Sequence, residues 1–140
     1  MNFEYQAKIV KDASNHYFVS FIDFNEAITE GETLEEALFN AAEALTLTIE
    51  GRIDEKKKVP MPSKIKARKD YYLVTPAARV QSALLFRATK KDQSIADIAR
   101  ILKTSWPAVA RLEDPHHTPS LRQLEKAAHA LGKQLVISFN

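Results

Sequence analysis

The 140-residue sequence predicts an α+β protein in two parts: a β-β-β-α-β domain over residues 1–75, then an all-α domain with a terminal strand over residues 76–140. Three observations predict it. Tyr5–Val10 alternates apolar and polar residues and the apolar run YFVSFIDF follows a turn, whereas stripes at i, i+3, i+4 and i+7 follow Thr33 and Pro76. A polar loop, Arg52–Asp70, separates these regions. Charge also divides the chain. Residues 1–54 hold three basic side chains against eleven acidic ones, a balance of −8, and residues 55–140 hold seventeen against seven, a balance of +10.

Tyr5–Val10 alternates and reads as a first strand, and Tyr17–Phe24 (YFVSFIDF) as a second. Asp12-Ala13-Ser14-Asn15 between them is turn chemistry, so the pair forms a hairpin. Ala27–Thr29 is a short third strand ending at Glu30-Gly31. Thr33 then caps a long helix with Glu36 at the capping-box position. Leu34, Ala37, Leu38, Ala41, Leu45 and Ile49 line its inner face, and Gly51 ends it. Tyr71–Val74 (YYLV) closes the domain as a fourth strand. The loop before it carries EKKK, VPMP and KIKARK, and reads as a solvated connector, a nucleic-acid contact or a nuclear-type basic tract.

In the second half, Pro76 opens a helix to about Asp92, with Ala77, Val80, Leu84 and Arg87 or Ala88 along one side. Ser94 caps the next helix, with Asp97 completing a capping-box pattern and Ile95, Ile98, Ala99 and Leu102 as its stripe. Lys103-Thr104-Ser105 is a three-residue turn. Ser105 caps a second short helix whose first turn accepts Pro107, since the missing N–H is unused there. Val109 and Leu112 point inward, and Trp106, Pro107, Ala110 and Arg111 outward. Glycine is the usual residue at position 103, where the backbone turns left-handed; lysine occupies it at modest strain. The pattern is that of a helix-turn-helix, the unit that lays its second helix in the DNA major groove, or of an αα-corner. Ser120 and Gln123 start a fourth helix with the stripe Leu121, Leu124, Ala128 and Leu131, and Gly132 stops it. The four helices are of the small lambda-repressor-like type. Gln134–Phe139 (QLVISF) is the terminal strand, and a second copy of the chain is its simplest partner.

Composition excludes several classes. The chain has no Cys, which removes disulfides, thiol catalysis and cysteine-based zinc sites. MNFEYQAKIV is not a signal peptide, and no apolar run approaches the ~18 residues of a membrane span. A cytoplasmic protein without cofactor is expected. Asp12, Asp23 and Glu43 lack the pattern of a paired-metal nuclease. His16, His116, His117 and His129 fall in turns, a loop and a helix without a catalytic spacing, so neither a catalytic nor a metal site is expected.

The YFVSFIDF strand, the EGETLEEALFNAAEAL passage, the VPMPS loop and the terminal helix-turn-helix followed by HALGKQLVISF resemble HicB antitoxins of the subclass with a C-terminal helix-turn-helix. The resemblance spans nearly the whole chain. It implies an N-terminal partial RNase H-like fold that binds and blocks a HicA toxin, a small basic ribonuclease. It also implies repression of the operon by the complex. Where the family usually carries a Pro-Gly-Cys-like turn, this chain has Phe24-Asn25-Glu26-Ala27.

Candidate DNA contacts are Trp106, Pro107 and Ala108 toward base edges and Arg111 toward a guanine or a phosphate. Gln93, Ser94 and the turn residues Lys103, Thr104 and Ser105 would meet the backbone. Trp106 has a second reading, packing under the loop 114–119. Candidate toxin contacts are Asp23, Glu26, Glu30 and Glu32, with Phe21 or Phe24 as an apolar anchor or as core. The expected partners are a HicA-like toxin, double-stranded operator DNA and a second copy of the chain, with no membrane. The alternative is a dimeric regulator whose N-terminal half senses a small molecule or mediates assembly.

Overall fold

In the computed structural model, which describes residues 1–64, 66 and 68–140, the alternating stretches pair into an antiparallel sheet. β1 (Tyr5–Lys11) and β2 (Tyr17–Phe21) form the hairpin, with Ala7 opposite Phe21 and Ile9 opposite Val19. Its turn is built by Asp12, whose carboxylate accepts from Ser14 N (2.9 Å), Ser14 Oγ (2.7 Å) and His16 N (2.9 Å). Asn15 takes the left-handed conformation at φ 63°, which a short polar side chain tolerates. β3 (Thr29–Gly31) flanks β2 and β4 (Tyr71–Val74) flanks β1, giving the order β3-β2-β1-β4.

Helix α1 (Leu34–Asp54) crosses one face of this sheet, with Thr33 Oγ1 accepting from Glu36 N at 3.1 Å. Period two on the strands meets period 3.6 on the helix. Tyr5, Ala7, Ile9, Val19 and Phe21 are buried together with Ala37, Ala41, Leu45 and Ile49. Tyr5 meets Phe24 edge to face, with ring centroids 4.9 Å apart.

Several boundaries differ from expectation. β2 ends at Phe21 rather than Phe24, because the chain turns there and Ala27 N bonds back to Phe24 O. β3 accordingly begins at Thr29, not Ala27. The helix runs through Gly51 to Asp54. Glycine weakens a helix but does not oblige it to stop; here Lys56, at φ 58°, makes the left-handed break. The KIKARK tract includes Ile65 and Ala67, which lie outside the described residues.

The chain separates into two units, residues 1–78 and 79–140. The helices of the second half are α2 (Ala78–Lys90), α3 (Ile95–Leu102), α4 (Trp106–Ala110) and α5 (Leu121–Ala130), with a 3-10 turn at Arg111–Glu113. Phe86, Ile98, Ala99, Val109, Leu112 and Ala127 form the core of the second unit, and Ile95, Leu102 and Leu131 pack on it. Three bonds tie α2 to the segment after α4: Arg79 Nη1 to Pro115 O (2.7 Å), Arg87 Nε to Glu113 O (3.0 Å) and the Lys90–Glu113 ion pair (3.1 Å).

The stripes of α2 and α5 shift from those expected. α2 starts at Ala78 and ends at Lys90, and Ala77 and Arg87 are exposed. It buries Val80, Ser82, Ala83, Leu84 and Phe86, a wider arc than one stripe can describe. Leu121 is exposed, because α5 turns toward the core only from Leu124 onward, with Ala127 innermost. Gly132 does adopt the left-handed stop at φ 72°, and Lys133 N reaches back to Ala128 O at 2.8 Å. Gln134–Phe139, expected as a strand, forms none in the single chain: a strand exists by its ladder, and no partner strand lies in this unit among the described residues.

Candidate nucleic-acid interface and acidic surface

The exposed face of the second unit is positioned by three local devices. Ser94 Oγ accepts from Asp97 N at 3.0 Å and starts α3. The Asp97 carboxylate turns to Arg100 instead of closing a capping box, and hydrogen bonds from Ser94 and Arg100 hold its pKa low. At the other end Lys103 sits at φ 53°, ψ 46°, so the unfavoured left-handed lysine read in the sequence is present, and Thr104 N bonds to Ala99 O at 3.0 Å. Ser105 Oγ then accepts from Ala108 N at 3.3 Å, with Pro107 in the first turn of α4. Val109 and Leu112 anchor this helix in the core.

These constraints bring the nine candidate residues of this unit to one chain segment, 93–111. Ser94, Lys103, Thr104, Ser105, Trp106, Pro107 and Arg111 are exposed, and Gln93 and Ala108 are half-buried. Trp106 is 58% exposed, so it is not packed away under the loop 114–119. An exposed indole and an exposed guanidinium, Arg111, in one short segment are suited to apolar and charged contact with a polyanion.

The acidic candidates of the first unit are arranged differently. Arg52 grips Glu26 with two hydrogen bonds, Nε to Oε2 at 2.8 Å and Nη2 to Oε1 at 2.7 Å. It also donates to Lys58 O at 3.1 Å and lies over the Phe24 ring at 4.8 Å. Asp23 accepts from Ser63 N at 3.0 Å and from Ser63 Oγ. Tyr5 Oη donates to Pro60 O at 2.8 Å, with burial pushing the phenol up so that it stays a donor. These contacts strap the loop after α1 onto the domain. Glu30 is 3.2 Å from His16 Nε2, and Glu32 is exposed. Phe21 and Phe24 are both buried and present no surface anchor. No local signal in the sequence pairs Arg52 with Glu26, which lie 26 residues apart.

The Arg52 guanidinium holds Glu26 at a pKa of about 2, below its usual 4.5. The pair's contribution is therefore complete above pH 4.5 and is lost as pH falls toward 2. Since the Glu26 side chain is 51% exposed, the contribution is at most about 1 kcal/mol. Urea midpoints measured against pH should show a shallower acid limb in Glu26→Gln than in the wild type; identical limbs would remove this linkage.

Large apolar residues also stand exposed where sequence reasoning did not look. Phe39 and Leu47 lie on α1 off its inner stripe, and Val10, Phe18 and Leu73 share the sheet face opposite the helix. Their signal was an apolar residue out of register with its own element. Among the described residues no three His, Asp or Glu side chains gather as a metal site requires, and no helix is long and apolar enough to cross a membrane.

Residues 4–80 match the model of a family described as HicB-like antitoxin of bacterial toxin–antitoxin systems. The chain is 31% identical over 120 residues to the antitoxin HicB of Escherichia coli, covering 85% of this chain and 86% of that protein. It is 32% identical over 140 residues to antitoxin HicB 1 of Photorhabdus laumondii, covering 99% and 88% respectively. Antitoxin HicB of Pseudomonas fluorescens is 27% identical over 137 residues, with 97% and 93% covered.

Proposed function

The chain belongs to the HicB-like antitoxin family of bacterial toxin–antitoxin systems, and we propose that it neutralises a HicA-type mRNA-cleaving ribonuclease and represses its own operon by binding operator DNA. It acts in the cytoplasm without catalysis of its own. The first unit, within the family match, binds the toxin; the second, as a helix-turn-helix domain, binds the operator. The observation that carries the second half is the exposed surface at 103–111, where Trp106 and Pro107 of α4 and Arg111 of the following 3-10 turn are exposed while Val109 and Leu112 are buried in the core. The second unit holds ten basic against five acidic side chains, the charge that phosphate contacts require. Trp106, Pro107 and Ala108 meet base edges, Arg111 a guanine or a phosphate, and Lys103 and Thr104 the backbone.

Arg111→Ala is expected to weaken specific operator binding by about 1–3 kcal/mol in fluorescence anisotropy. Unchanged affinity would take Arg111 off the reading surface. Operators of twofold symmetry need a symmetric reader, and residues 134–139 supply the pairing. Val136, Ile137 and Phe139 are exposed in the single chain, and two such segments satisfy each other as a ribbon. Truncation after Gly132 should therefore give a monomer in light scattering; a persisting dimer would exclude the ribbon.

The reading as a whole is tested by co-expressing the full chain with the small basic reading frame beside its gene. Restored growth, suppressed RNA cleavage and a co-purifying complex are expected. If no partner is recovered while promoter binding persists, the protein is a regulator whose first unit serves sensing or assembly.

A further inference from the structure

The internal bonds of the first unit change where its negative charge is available. Glu26 is gripped by Arg52, Asp23 by Ser63, and Glu30 lies against His16, while the Asp12 carboxylate accepts three hydrogen bonds within its own turn. Glu26, Glu30 and Asp12 are exposed but engaged in these contacts, and a further group of exposed carboxylates, Glu32, Glu35, Glu36 and Glu43, lies at the start and along the outer side of α1. Glu35 and Glu36 have a local reason to be there, since they complement the helix N-terminus. Glu43, in mid-helix, has none.

The same outer side carries Phe39 and Leu47, at 65% and 68% exposure. They are two turns apart, about 12 Å along the axis, with Glu43 midway between them. Burying them in the domain is impossible while Ala41, Leu45 and Ile49 face the sheet. A large aromatic and a leucine kept in water on one helix face, ringed by acidic side chains, form an anchor-and-rim pattern.

The charge decides what fits there. In a symmetric pairing of two such helices about the centre of the stripe, Glu43 would face Glu43 of the second copy, like charge against like. Nucleic acid and anionic lipid are repelled for the same reason. A basic protein surface with apolar sockets is complementary in both respects. We propose that the outer face of α1, with Phe39 and Leu47 as anchors and Glu43 as the charge between them, is the docking surface for the basic toxin. This rests on the antitoxin reading and deepens it, and it moves the contact away from the acidic residues around β2 and β3 that the sequence favoured.

The experiment uses the full chain co-expressed with the adjacent toxin, with binding measured on the purified proteins. Phe39→Ala and Leu47→Ala each should weaken the complex by about thirtyfold or more. Both sites are exposed, so thermal unfolding and operator binding stay as in the wild type. Glu43→Lys should slow association at low salt, with the difference from wild type vanishing at high salt. Leu73→Ala, on the opposite sheet face, should leave affinity within twofold. Wild-type affinity in both anchor variants, or a larger loss in Leu73→Ala, overturns the assignment while leaving the antitoxin reading intact. A wild-type chain that retains no toxin overturns both. A change of oligomeric state in Phe39→Ala would instead identify the face as a contact between copies, and overturns the proposal too.

Discussion

Ile98→Ala is expected to unfold the second unit at physiological temperature and to abolish operator binding with it. Ile98 is fully buried and sits among Phe86, Ala99, Val109, Leu112 and Ala127. Its removal costs the transfer free energy of the lost methyl and methylene groups plus a cavity term, about 2–5 kcal/mol in total. A domain of this size holds roughly 3–9 kcal/mol at 0.05–0.15 kcal/mol per residue, so the loss approaches its whole stability. Two of its neighbours in the core are alanines, too short to collapse into the void. Loss of the helical signal of α2–α5 in thermal melts, with that of α1 and the β-sheet resonances of the first unit retained, is the expected record. A loss under about 1 kcal/mol would mean that the site refills and that packing around α3 is looser than the structure describes.

Gly31→Ala is expected to have the largest effect in the first unit. A Cβ at this position would lie 2.5 Å from Ala37 N, 2.8 Å from Ala37 Cα and 3.0 Å from Glu36 C. All three are backbone atoms of the first turns of α1, which no rotamer change can clear. β3 and α1 would have to separate, a strain of about 1–3 kcal/mol, at the upper end because nothing flexible yields. Gly51→Ala is the matched control. A Cβ there meets nothing within 4 Å, and alanine inside a helix is favoured over glycine by roughly 0.5–1 kcal/mol. Urea midpoints should thus move in opposite directions; a neutral Gly31→Ala would show that β3 and α1 are not held this closely.

Those two glycines mark where local reading succeeds and where it stops. Gly31 read as a strand-end turn and Gly51 as a helix stop. Neither adopts a positive φ; the first is needed for close approach of two elements, and the second is an ordinary helical residue. By contrast the caps Thr33, Ser94, Ser105 and Ser120 all stand where their side chains were expected to act, and Ser120 with Gln123 completes its box. Capping involves residues three apart, so it is written in the local sequence.

The candidate contacts divide along the same line. Residues 93–111 form one continuous segment whose helix stripes settle which side chains face out, and the exposure of Trp106 and Arg111 followed from Val109 and Leu112 facing in. The acidic candidates depended on partners far along the chain: Arg52 for Glu26, 26 residues away, and Ser63 for Asp23, 40 residues away. Phe21 and Phe24 could equally have been anchor or core until Tyr5 and Arg52 closed over the Phe24 ring. Periodicity, capping and turn chemistry by themselves determined the order and type of the elements up to the last helix, because each acts within one turn or one hairpin; the expected strand at 134–139 depended on a partner strand and does not form in the single chain. Only the tertiary structure decided which charges are spent inside the domain and which apolar residues remain for a partner, because those depend on side chains that meet only after the chain has folded.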